Sequence, residues 1–499
     1  MSILKKLASQ TAIYGISSNF GRLLNYALVP FHTYIFAPEQ YGIISDFYAK
    51  AAFFNVLYTY GMETAYFRFT SKKTPEEQQT VYNQVLSCLL LTSFCLSLLL
   101  VLGAVPLARL MSYPDNFSQH IILFACLFAI DTIVVIPFAK IRQEQKAKLF
   151  ALVKISSIVA NVLLNFFFLW ACKNWIEKGS TTHLLSSVFY SYDDVFYVFL
   201  ANFLGNFLAI PLLWRYFLQW RWSFSWQTLR PILLYAYPIL FTGLAAMINE
   251  VLSRDFIKYW LPDGFYPNRT NLEAVGIFSA CYKFSIFITL AVQAFKYAAE
   301  PFFFTQAQDK NSPVVFAYVT KYFNVALTMM FVGISLNIDL VKTLVLGKSD
   351  YEEGLVIVPF LLLANLFLGI YYNISVWFKI TDHTAYGTLL GFLGAGITVI
   401  GNLALIPLWG YLGSAITTLI CYATMMILCY YWGQKYYPVP YPTVHALSYW
   451  TIGVVFVGIG WYVKFPAFWY NQLWHFVLTV IFVGGALAVE WKQRKQNFN

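Results

Sequence analysis

Long apolar runs constrain the possible fold of this chain more than any other feature of its sequence. About 14 stretches of roughly 20 predominantly apolar residues follow one another, separated by short segments with charged, polar, Pro or Gly residues. Two of them lie at about 385–408 and 411–434. A helix of about 20 apolar residues crosses the hydrocarbon core of a bilayer. Because backbone N–H and C=O groups find no water there, runs of this length must be helical. The sequence therefore predicts an all-α integral membrane protein with about 14 transmembrane helices.

Charged residues are too few for a soluble protein of this length. Only 11% of the 499 residues are charged, whereas 59% are hydrophobic, and soluble domains contain roughly 25% charged residues. The formal net charge of +10 comes from 33 basic and 23 acidic residues. These basic residues form no block of the kind that binds nucleic acid. We therefore expect contact with membrane lipids and no nucleic-acid partner.

Cysteine and histidine show no pattern typical of a metal site. Most of the 7 cysteines lie inside apolar runs without CxxC spacing, and the 6 histidines are scattered singly. Protein metal sites need clustered ligands at short, regular spacings. We expect no metal and no other cofactor.

The loop charges predict the orientation of the chain in the membrane. Most loop Lys and Arg residues fall on one side of the predicted spans, the side that also contains both termini. This group includes Lys5, Lys6, Lys492, Arg494 and Lys495. Because cytoplasmic loops carry an excess of Lys and Arg, both termini are predicted to be cytoplasmic.

Two similar segments indicate an internal repeat. Residues 41–50 read YGIISDFYAK and residues 275–283 read VGIFSACYK, so that Gly, Ile, Ser and Tyr recur in register. The offset corresponds to six spans, which predicts two six-helix lobes of the same orientation, the parallel-repeat plan of several transporter families. The lobes are expected at residues 1–222 and 223–437, followed by two additional C-terminal spans within 438–499.

Basic residues deep inside predicted spans are the candidate substrate-binding groups. These are Arg22, Lys50, Arg254 and Lys283. A charge in the bilayer centre costs at least about 2.5 kcal/mol, so these side chains should face protein or water. Lys50 and Lys283 occupy nearly equivalent places in the two repeats. We therefore expect a cationic vestibule between the lobes.

Other basic residues within spans lie closer to the span ends. They are Lys154, Lys258, Lys296 and Lys321. Their long side chains could reach the headgroups by snorkelling.

Three acidic residues inside spans are candidate ion-coupling groups: Asp46, Glu250 and Asp255. The first two lie at i, i+4 spacing from Lys50 and Arg254, so structural pairing along the helix is the alternative. The sequence leaves both interpretations open.

Segments near the N-terminus resemble a known family. Residues 13–22 (IYGISSNFGR), 36–42 (FAPEQYG) and 60–68 (YGMETAYFR) are similar to the opening of bacterial O-antigen and polysaccharide flippases. These belong to the polysaccharide transporter branch of the multidrug/oligosaccharidyl-lipid/polysaccharide exporter superfamily. The similarity is strongest in the first 75 residues and around 246–300.

The resemblance implies a function and a location. It implies export of an undecaprenyl-diphosphate-linked oligosaccharide from the inner to the outer leaflet of the bacterial inner membrane by alternating access, with glycan polymerisation machinery as a partner. Related lipid II flippases are similar in placing basic residues of spans 1, 2 and 8 in the central cavity, which implies that role for Arg22, Lys50 and Lys283, and Arg254 of span 7 is a further match. Lysine in span 2, where arginine is expected, keeps the charge but loses bidentate phosphate recognition.

Other functions remain open at this point. A multidrug exporter of organic cations with the same fold would need acidic residues in its cavity, whereas the excess here is basic. A membrane glycosyltransferase or polysaccharide polymerase would need a sizeable outer loop, and the connections between spans are short. A membrane scaffold without transport activity is the third alternative. We expect a transporter and no enzyme.

Overall fold

The structure is a computed structural model that describes residues 24–71, 73–178, 192–306, 311–381 and 383–498. Within these ranges the side chains of residues 177, 297–302, 304–306 and 494–498 are not described. The described residues form helices joined by short turns and contain no β-strand. The predicted all-α class is confirmed.

The helices of the first half of the chain are numbered in chain order, beginning with α1 at residues 24–35. They continue with α2 (Pro38–Thr59), α3 (Met62–Thr70), α4 (Pro75–Leu102), α5 (Ala104–Leu110), α6 (Ser118–Gln143), α7 (Ala147–Phe166), α8 (Lys173–Glu177), α9 (Asp194–Phe207), α10 (Ala209–Leu212), α11 (Trp214–Leu218) and α12 (Trp226–Val251).

The second half continues the numbering and includes two long helices at the C-terminal end. The helices are α13 (Ser253–Trp260), α14 (Asn271–Tyr282), α15 (Ile286–Gln306), α16 (Ser312–Leu336), α17 (Ile338–Val345), α18 (Val358–Ile374), α19 (Val376–Ile380), α20 (Ala385–Tyr436), α21 (Thr443–Tyr462) and α22 (Phe468–Phe498). A 3₁₀ turn at Lys283–Ser285 separates α14 from α15.

Capping boxes fix the first turns of two membrane helices. Thr270 Oγ accepts a hydrogen bond from Glu273 N at 3.1 Å, and the Glu273 carboxylate accepts one from Thr270 N at 2.7 Å. Thr74 and Glu77 make the same reciprocal pair at the start of α4. These bonds satisfy backbone donors that lack partners in the first helical turn. In α14 they set the register of a helix that leads directly to Lys283.

Contacts divide the chain into two compact units. The first contains Ile43–Met247 with residues 24–28, and the second contains Val29–Gly42 and Ile248–Asn499. The division near residue 247 lies inside α12 rather than at the predicted boundary between 222 and 223. The three predicted parts, 1–222, 223–437 and 438–499, stay a prediction about the lobes and the appended spans.

Each unit has its own packed interior. In the first, α6 packs against α4 and α9, and α9 packs against α7. In the second, α18 packs against α20 and α16, while α16 also contacts the C-terminal helices α21 and α22. The two predicted C-terminal spans are therefore part of the second unit.

Eleven helical segments of the described residues are long and apolar enough to cross a membrane. One of them, Ala385–Tyr436, has 52 residues, which as a straight helix would measure roughly 78 Å, more than twice the hydrocarbon thickness. It bends back on itself at Gly410, where φ is 57° and ψ is −138°. A Cβ on Gly413 would lie 2.2 Å from Leu405 O, so the residues on either side of the bend face one another. The segment is a helical hairpin, as two separate runs at about 385–408 and 411–434 predicted. The total of about 14 spans stays a prediction.

Candidate functional site

Two candidate basic residues of the second unit lie where its membrane helices are interrupted. Arg254 is in the first turn of α13, just after the break that separates α13 from α12 at Leu252. Lys283 begins the 3₁₀ turn between α14 and α15. Interrupted membrane helices are tolerated where backbone is buried in protein or lines an aqueous cavity, and in transporters they often form substrate sites.

The guanidinium of Arg254 is held between α13 and α14. The residue is 8% exposed. Its Nε donates to Ser279 Oγ at 3.2 Å, and its Nη1 approaches Glu250 O at 3.4 Å. Its Cζ lies 5.2 Å from the ring centroid of Tyr282, a cation–π distance. These contacts hold the planar group in a defined orientation.

Lys283 is an electrostatic neighbour of this arginine. The ammonium interacts with Arg254 and with Glu250, and Lys283 itself is half-buried. Glu250, at the end of α12, is exposed. The phenol of Tyr422 in α20 is also an electrostatic neighbour of Tyr282 and Glu250. Two bases and one acid therefore share one region, which we call the Arg254–Lys283 cluster (Glu250, Arg254, Ser279, Tyr282 and Lys283).

Asp255, the third predicted coupling residue, follows Arg254 on α13 and is half-buried. Successive residues of a helix point about 100° apart, so Asp255 and Arg254 leave α13 in different directions. A coupling role for Asp255 stays a prediction.

In the first unit Lys50 is paired with an acid. Its Nζ forms an ion pair with Asp46 Oδ1, one helical turn earlier on α2. Asp46 is fully buried, and its Oδ2 accepts a hydrogen bond of 2.7 Å from the hydroxyl of Tyr113, which follows α5. The structure therefore contains the i, i+4 ion pair that the sequence left open. The negative charge of Asp46 compensates the positive charge of Lys50.

The first unit contains a second set of polar contacts, whose residues were not among the predicted site residues. Asn206 Nδ2 on α9 donates to Asp131 Oδ1 on α6 at 2.8 Å, and Asn202 Nδ2 donates to the Tyr48 hydroxyl at 3.1 Å. Lys154 of α7 is an electrostatic neighbour of Asp131. The available signal was the i, i+4 spacing of two asparagines in the apolar run that becomes α9. Amide groups inside an apolar helix usually find hydrogen-bond partners when the helix packs against its neighbours.

Some predicted features lie outside the described residues. Arg22, a predicted substrate-binding residue, is one of them. Lys50 belongs to the first unit and Lys283 to the second, so a vestibule shared by the lobes stays a prediction. Among the described residues, no group of three or more His, Cys, Asp or Glu side chains could hold a metal ion.

The family model described as "Polysaccharide biosynthesis protein" matches residues 7–307, which is more than half of the chain. It covers α1 to α15, and so includes both Lys50 and the Arg254–Lys283 cluster. No curated protein sequence matches the chain significantly.

Solved structures of transporters share the fold. A structure described as "Lipid II flippase MurJ, inward closed conformation" aligns with a TM-score of 0.73 at 14% identity, covering 97% of this chain and 99% of that chain. An inward-facing multidrug resistance MATE family transporter of the MOP superfamily aligns with a TM-score of 0.58 at 14% identity, over 83% of this chain and 94% of that one. A crystal structure of MATE in complex with MaD3S gives 0.57 at 11% identity, over 86% and 95%.

At these identities the structural matches establish the fold, and the family follows from the sequence model. Both agree with the resemblance of the N-terminal segments to polysaccharide flippases. The predicted family relationship is confirmed. The chain belongs to the polysaccharide biosynthesis protein family and has the all-helical fold of the MurJ and MATE structures.

Proposed function

We propose that the protein is a transporter that moves an undecaprenyl-diphosphate-linked oligosaccharide from the inner to the outer leaflet of the bacterial inner membrane by alternating access. The observation that carries the proposal is the Arg254–Lys283 cluster, in which two bases and one acid lie at breaks in membrane helices. Membership of a polysaccharide biosynthesis family and the flippase fold support it.

The chemistry of the cluster suits a diphosphate. A diphosphate carries its negative charges on oxygens that accept hydrogen bonds, and it cannot enter hydrocarbon without losing several kcal/mol of hydration. Arginine offers planar N–H donors that match phosphate oxygens, and lysine offers a compact charge. Charge-assisted hydrogen bonds contribute roughly 1.5 to 3 kcal/mol each, so two bases offset a large part of the desolvation cost. The prenyl chain needs no such site because it stays in lipid.

Lys50 takes a different role in this proposal. Because Asp46 compensates its charge, Lys50 binds an anion strongly only when the pair opens. Protonation of Asp46 would remove the compensating charge and leave Lys50 available to the substrate. We therefore propose Asp46 as an ion-coupling residue, with the Tyr113 hydroxyl positioning its carboxylate. Glu250 is the corresponding coupling candidate beside Arg254.

The shared fold makes a multidrug exporter the main alternative, since MATE structures align over most of the chain. An organic cation would need uncompensated carboxylates. The Arg254–Lys283 cluster instead contains two basic residues and one acidic residue. This charge balance favours an anionic substrate.

Loss of charge in the cluster tests the proposal in cells. In a strain that lacks its own copy of the gene, Arg254→Gln with Lys283→Gln should abolish surface glycan at normal membrane abundance of the protein. Lys435→Gln is the matched control, because Lys435 is an exposed lysine at the end of α20. Normal surface glycan in the double variant, at normal abundance, would refute an anionic substrate bound at this cluster.

A further inference from the structure

Three hydrogen bonds hold the connection between α11 and α12 against α4. In each bond a polar side chain of α4 meets a backbone group of the connection: Gln79 Nε2 donates to Gln219 O at 2.9 Å, Asn83 Oδ1 accepts from Arg221 N at 3.2 Å, and Ser87 Oγ accepts from Ser223 N at 3.2 Å. Four helical residues rise about 6 Å, and two extended residues span about 6.6 Å. Because these spacings match, residues 219–223 run extended along one face of α4.

Two side chains of the connection strengthen this attachment. Trp220 Nε1 donates to Ser87 Oγ at 3.1 Å, and its ring packs against the core cluster that includes Tyr82. Gln219 Oε1 accepts a hydrogen bond of 2.9 Å from Lys140 Nζ of α6. Since α4, α6 and the connection all belong to the first unit, the position of the connection within that unit is fixed.

The attached connection and the helix ends beside it present basic and aromatic side chains outward. Arg215, Arg221 and Arg230 are exposed, and so are the rings of Trp214 and Trp222. The guanidinium of Arg215 lies 5.8 Å from the ring centroid of Trp214, a cation–π distance. We call these five residues the connector surface.

The positive charge of the connector surface is not compensated within the described part of the chain. No acidic residue occurs in the sequence between Asp194 and Glu250. The two acids in the first turn of α4, Glu76 and Glu77, form no ion pair with the three arginines. Among the described residues, no other carboxylate pairs with these arginines either. The three guanidinium groups are therefore available to an external anion.

The connector surface lies at a membrane boundary. Its residues lie between the end of one candidate membrane span, Asp194–Leu212, and the first turns of the next, Trp226–Val251. By the positive-inside prediction this boundary is the cytoplasmic one. Tryptophan rings favour the headgroup layer, and anionic lipids of the cytoplasmic leaflet attract basic residues near its surface. Arginine also matches the geometry of phosphate oxygens.

We propose that the connector surface binds anionic phospholipids of the cytoplasmic leaflet. The three guanidinium groups donate to phosphate oxygens, and the two tryptophan rings lie among the glycerol and upper acyl groups. Because the hydrogen bonds to α4 already fix the connection, little backbone freedom is lost when lipids bind. The surface belongs to the first unit and the Arg254–Lys283 cluster to the second, so the proposal does not depend on the transported substrate.

Lipid binding to the purified full-length protein tests the proposal. Native mass spectrometry with phosphatidylglycerol and phosphatidylcholine measures apparent dissociation constants. Each basic residue near an anionic surface contributes about fivefold in affinity. The triple variant Arg215→Gln, Arg221→Gln, Arg230→Gln should therefore bind phosphatidylglycerol at least about tenfold more weakly, with phosphatidylcholine binding unchanged. Unchanged phosphatidylglycerol affinity in this variant would overturn the proposal, as would equal affinities of the wild type for the two lipids.

A second triple variant controls for net charge. Lys73→Gln, Lys148→Gln, Lys435→Gln removes three exposed lysines from the same predicted side of the membrane. This variant loses as much positive charge as the arginine variant, but it leaves the connector surface intact. We expect its phosphatidylglycerol affinity to fall less than about threefold. A loss as large as that of the arginine variant would show that binding follows net charge, and would overturn the assignment of the site.

The hydrogen bonds to α4 are tested without removing any charge. Asn83→Leu with Ser87→Ala removes the acceptors that hold the connection, so phosphatidylglycerol affinity should fall at least about threefold. Ser93→Ala is the control, because it removes another buried hydroxyl of α4, one that donates to Leu90 O of the same helix at 3.2 Å. Wild-type affinity in the double variant would overturn the positioning role of α4.

Chemical labelling of the wild type keeps the proposal testable if the variants do not fold. Phenylglyoxal modifies exposed arginines, and phosphatidylglycerol added to phosphatidylcholine bilayers should protect Arg215, Arg221 and Arg230. Equal labelling with and without phosphatidylglycerol would refute the site.

Undecaprenyl diphosphate tests the alternative occupant. If the arginine variant loses affinity for this lipid and keeps its affinity for phosphatidylglycerol, the surface binds the prenyl lipid and the phospholipid assignment is wrong. Arg254→Gln with Lys283→Gln should bind phosphatidylglycerol as the wild type does, because both arginine surface and α4 contacts are intact. A failure of the transport proposal is therefore distinguishable from a failure of this one.

Discussion

Gly42 and Gly276, equivalent positions of the sequence repeat, are in direct contact between α2 and α14. A Cβ on Gly42 would lie 2.1 Å from Leu272 O, and a Cβ on Gly276 would lie 1.9 Å from Pro38 O. Leu272 lies four residues before Gly276, and Pro38 lies four residues before Gly42. The contact is therefore reciprocal, as expected for two helices related by an internal repeat. Only glycine allows the backbones to approach this closely.

Substitution of either glycine should separate these helices. Gly42→Ala or Gly276→Ala places a methyl group against a backbone carbonyl, and overpacking of this kind costs about 1 to 3 kcal/mol. Gly396→Ala is the control, because a Cβ there meets nothing within 4 Å, and alanine favours helix by up to about 1 kcal/mol. Thermal unfolding in detergent should show a lower midpoint for the first two variants and an equal or higher one for the control. Unchanged midpoints at both contact positions would contradict the close approach.

The bend at Gly410 should tolerate no side chain. Its φ of 57° lies in the region that residues with a Cβ rarely adopt, and a Cβ would also lie 2.1 Å from the Tyr266 hydroxyl. Gly410→Ala is expected to reduce the yield of monodisperse protein severely. Gly391→Ala, at an open position of the same hairpin, should not. Size-exclusion chromatography of both variants measures the difference, and a normal profile for Gly410→Ala would contradict the hairpin geometry.

The ion pair of α2 should be more sensitive to single than to double substitution. Asp46 is fully buried and Lys50 has a side-chain exposure of 19%. Removing one partner of a buried pair leaves an uncompensated charge, at a typical cost of about 3 to 5 kcal/mol. Solvent weakens an ion pair whose lysine is partly exposed. We therefore expect Lys50→Gln and Asp46→Asn each to cost about 3 kcal/mol of stability or less.

The double variant Asp46→Asn with Lys50→Gln should recover much of the lost stability. Thermal midpoints of the four proteins give the coupling free energy as a double-mutant cycle. If the stability losses of the two single variants add up in the double variant, the ion pair contributes nothing to stability. The same reasoning explains why Lys50→Gln alone is a poor test of substrate binding, since it also disturbs folding.

A buried ion cluster should anchor the C-terminal helix α22. Glu490 lies 2.8 Å from Lys321 Nζ on α16 and 2.6 Å from His445 Nε2 on α21, and Tyr449 donates to it at 3.1 Å. Glu490→Gln leaves Lys321 without its carboxylate. Hydrogen–deuterium exchange should then increase in Phe468–Gln493, whereas Lys435→Gln should leave exchange there unchanged. Equal exchange in wild type and Glu490→Gln would show that α22 is held by apolar packing alone.

The sequence predicted features that depend on periodicity and local spacing. The helical class, the split of Ala385–Tyr436 into two runs, and the Asp46–Lys50 spacing all arise within one helix or one turn of the chain. Snorkelling was an incomplete account of Lys321, which is 14% exposed and pairs with Glu490. That partner lies 169 residues later in the chain, and no local pattern specifies it.

The parts of the site that escaped prediction share this cause. Tyr113 reaches Asp46 from a turn after α5, 67 residues away, and Asn206 on α9 reaches Asp131 on α6, 75 residues away. Such relationships depend on how helices pack, and a single sequence does not encode the packing in any local signal.

Lipid translocation in reconstituted vesicles tests the central claim most directly. Purified protein in proteoliposomes would be given a fluorescent undecaprenyl-diphosphate oligosaccharide, and its movement between leaflets would be followed by loss of fluorescence to a membrane-impermeant quencher. We predict translocation by the wild type and by Lys435→Gln, and at least a tenfold lower rate for Arg254→Gln with Lys283→Gln, since each lost charge-assisted contact is worth roughly tenfold or more. Translocation by the double variant at the wild-type rate would contradict the account.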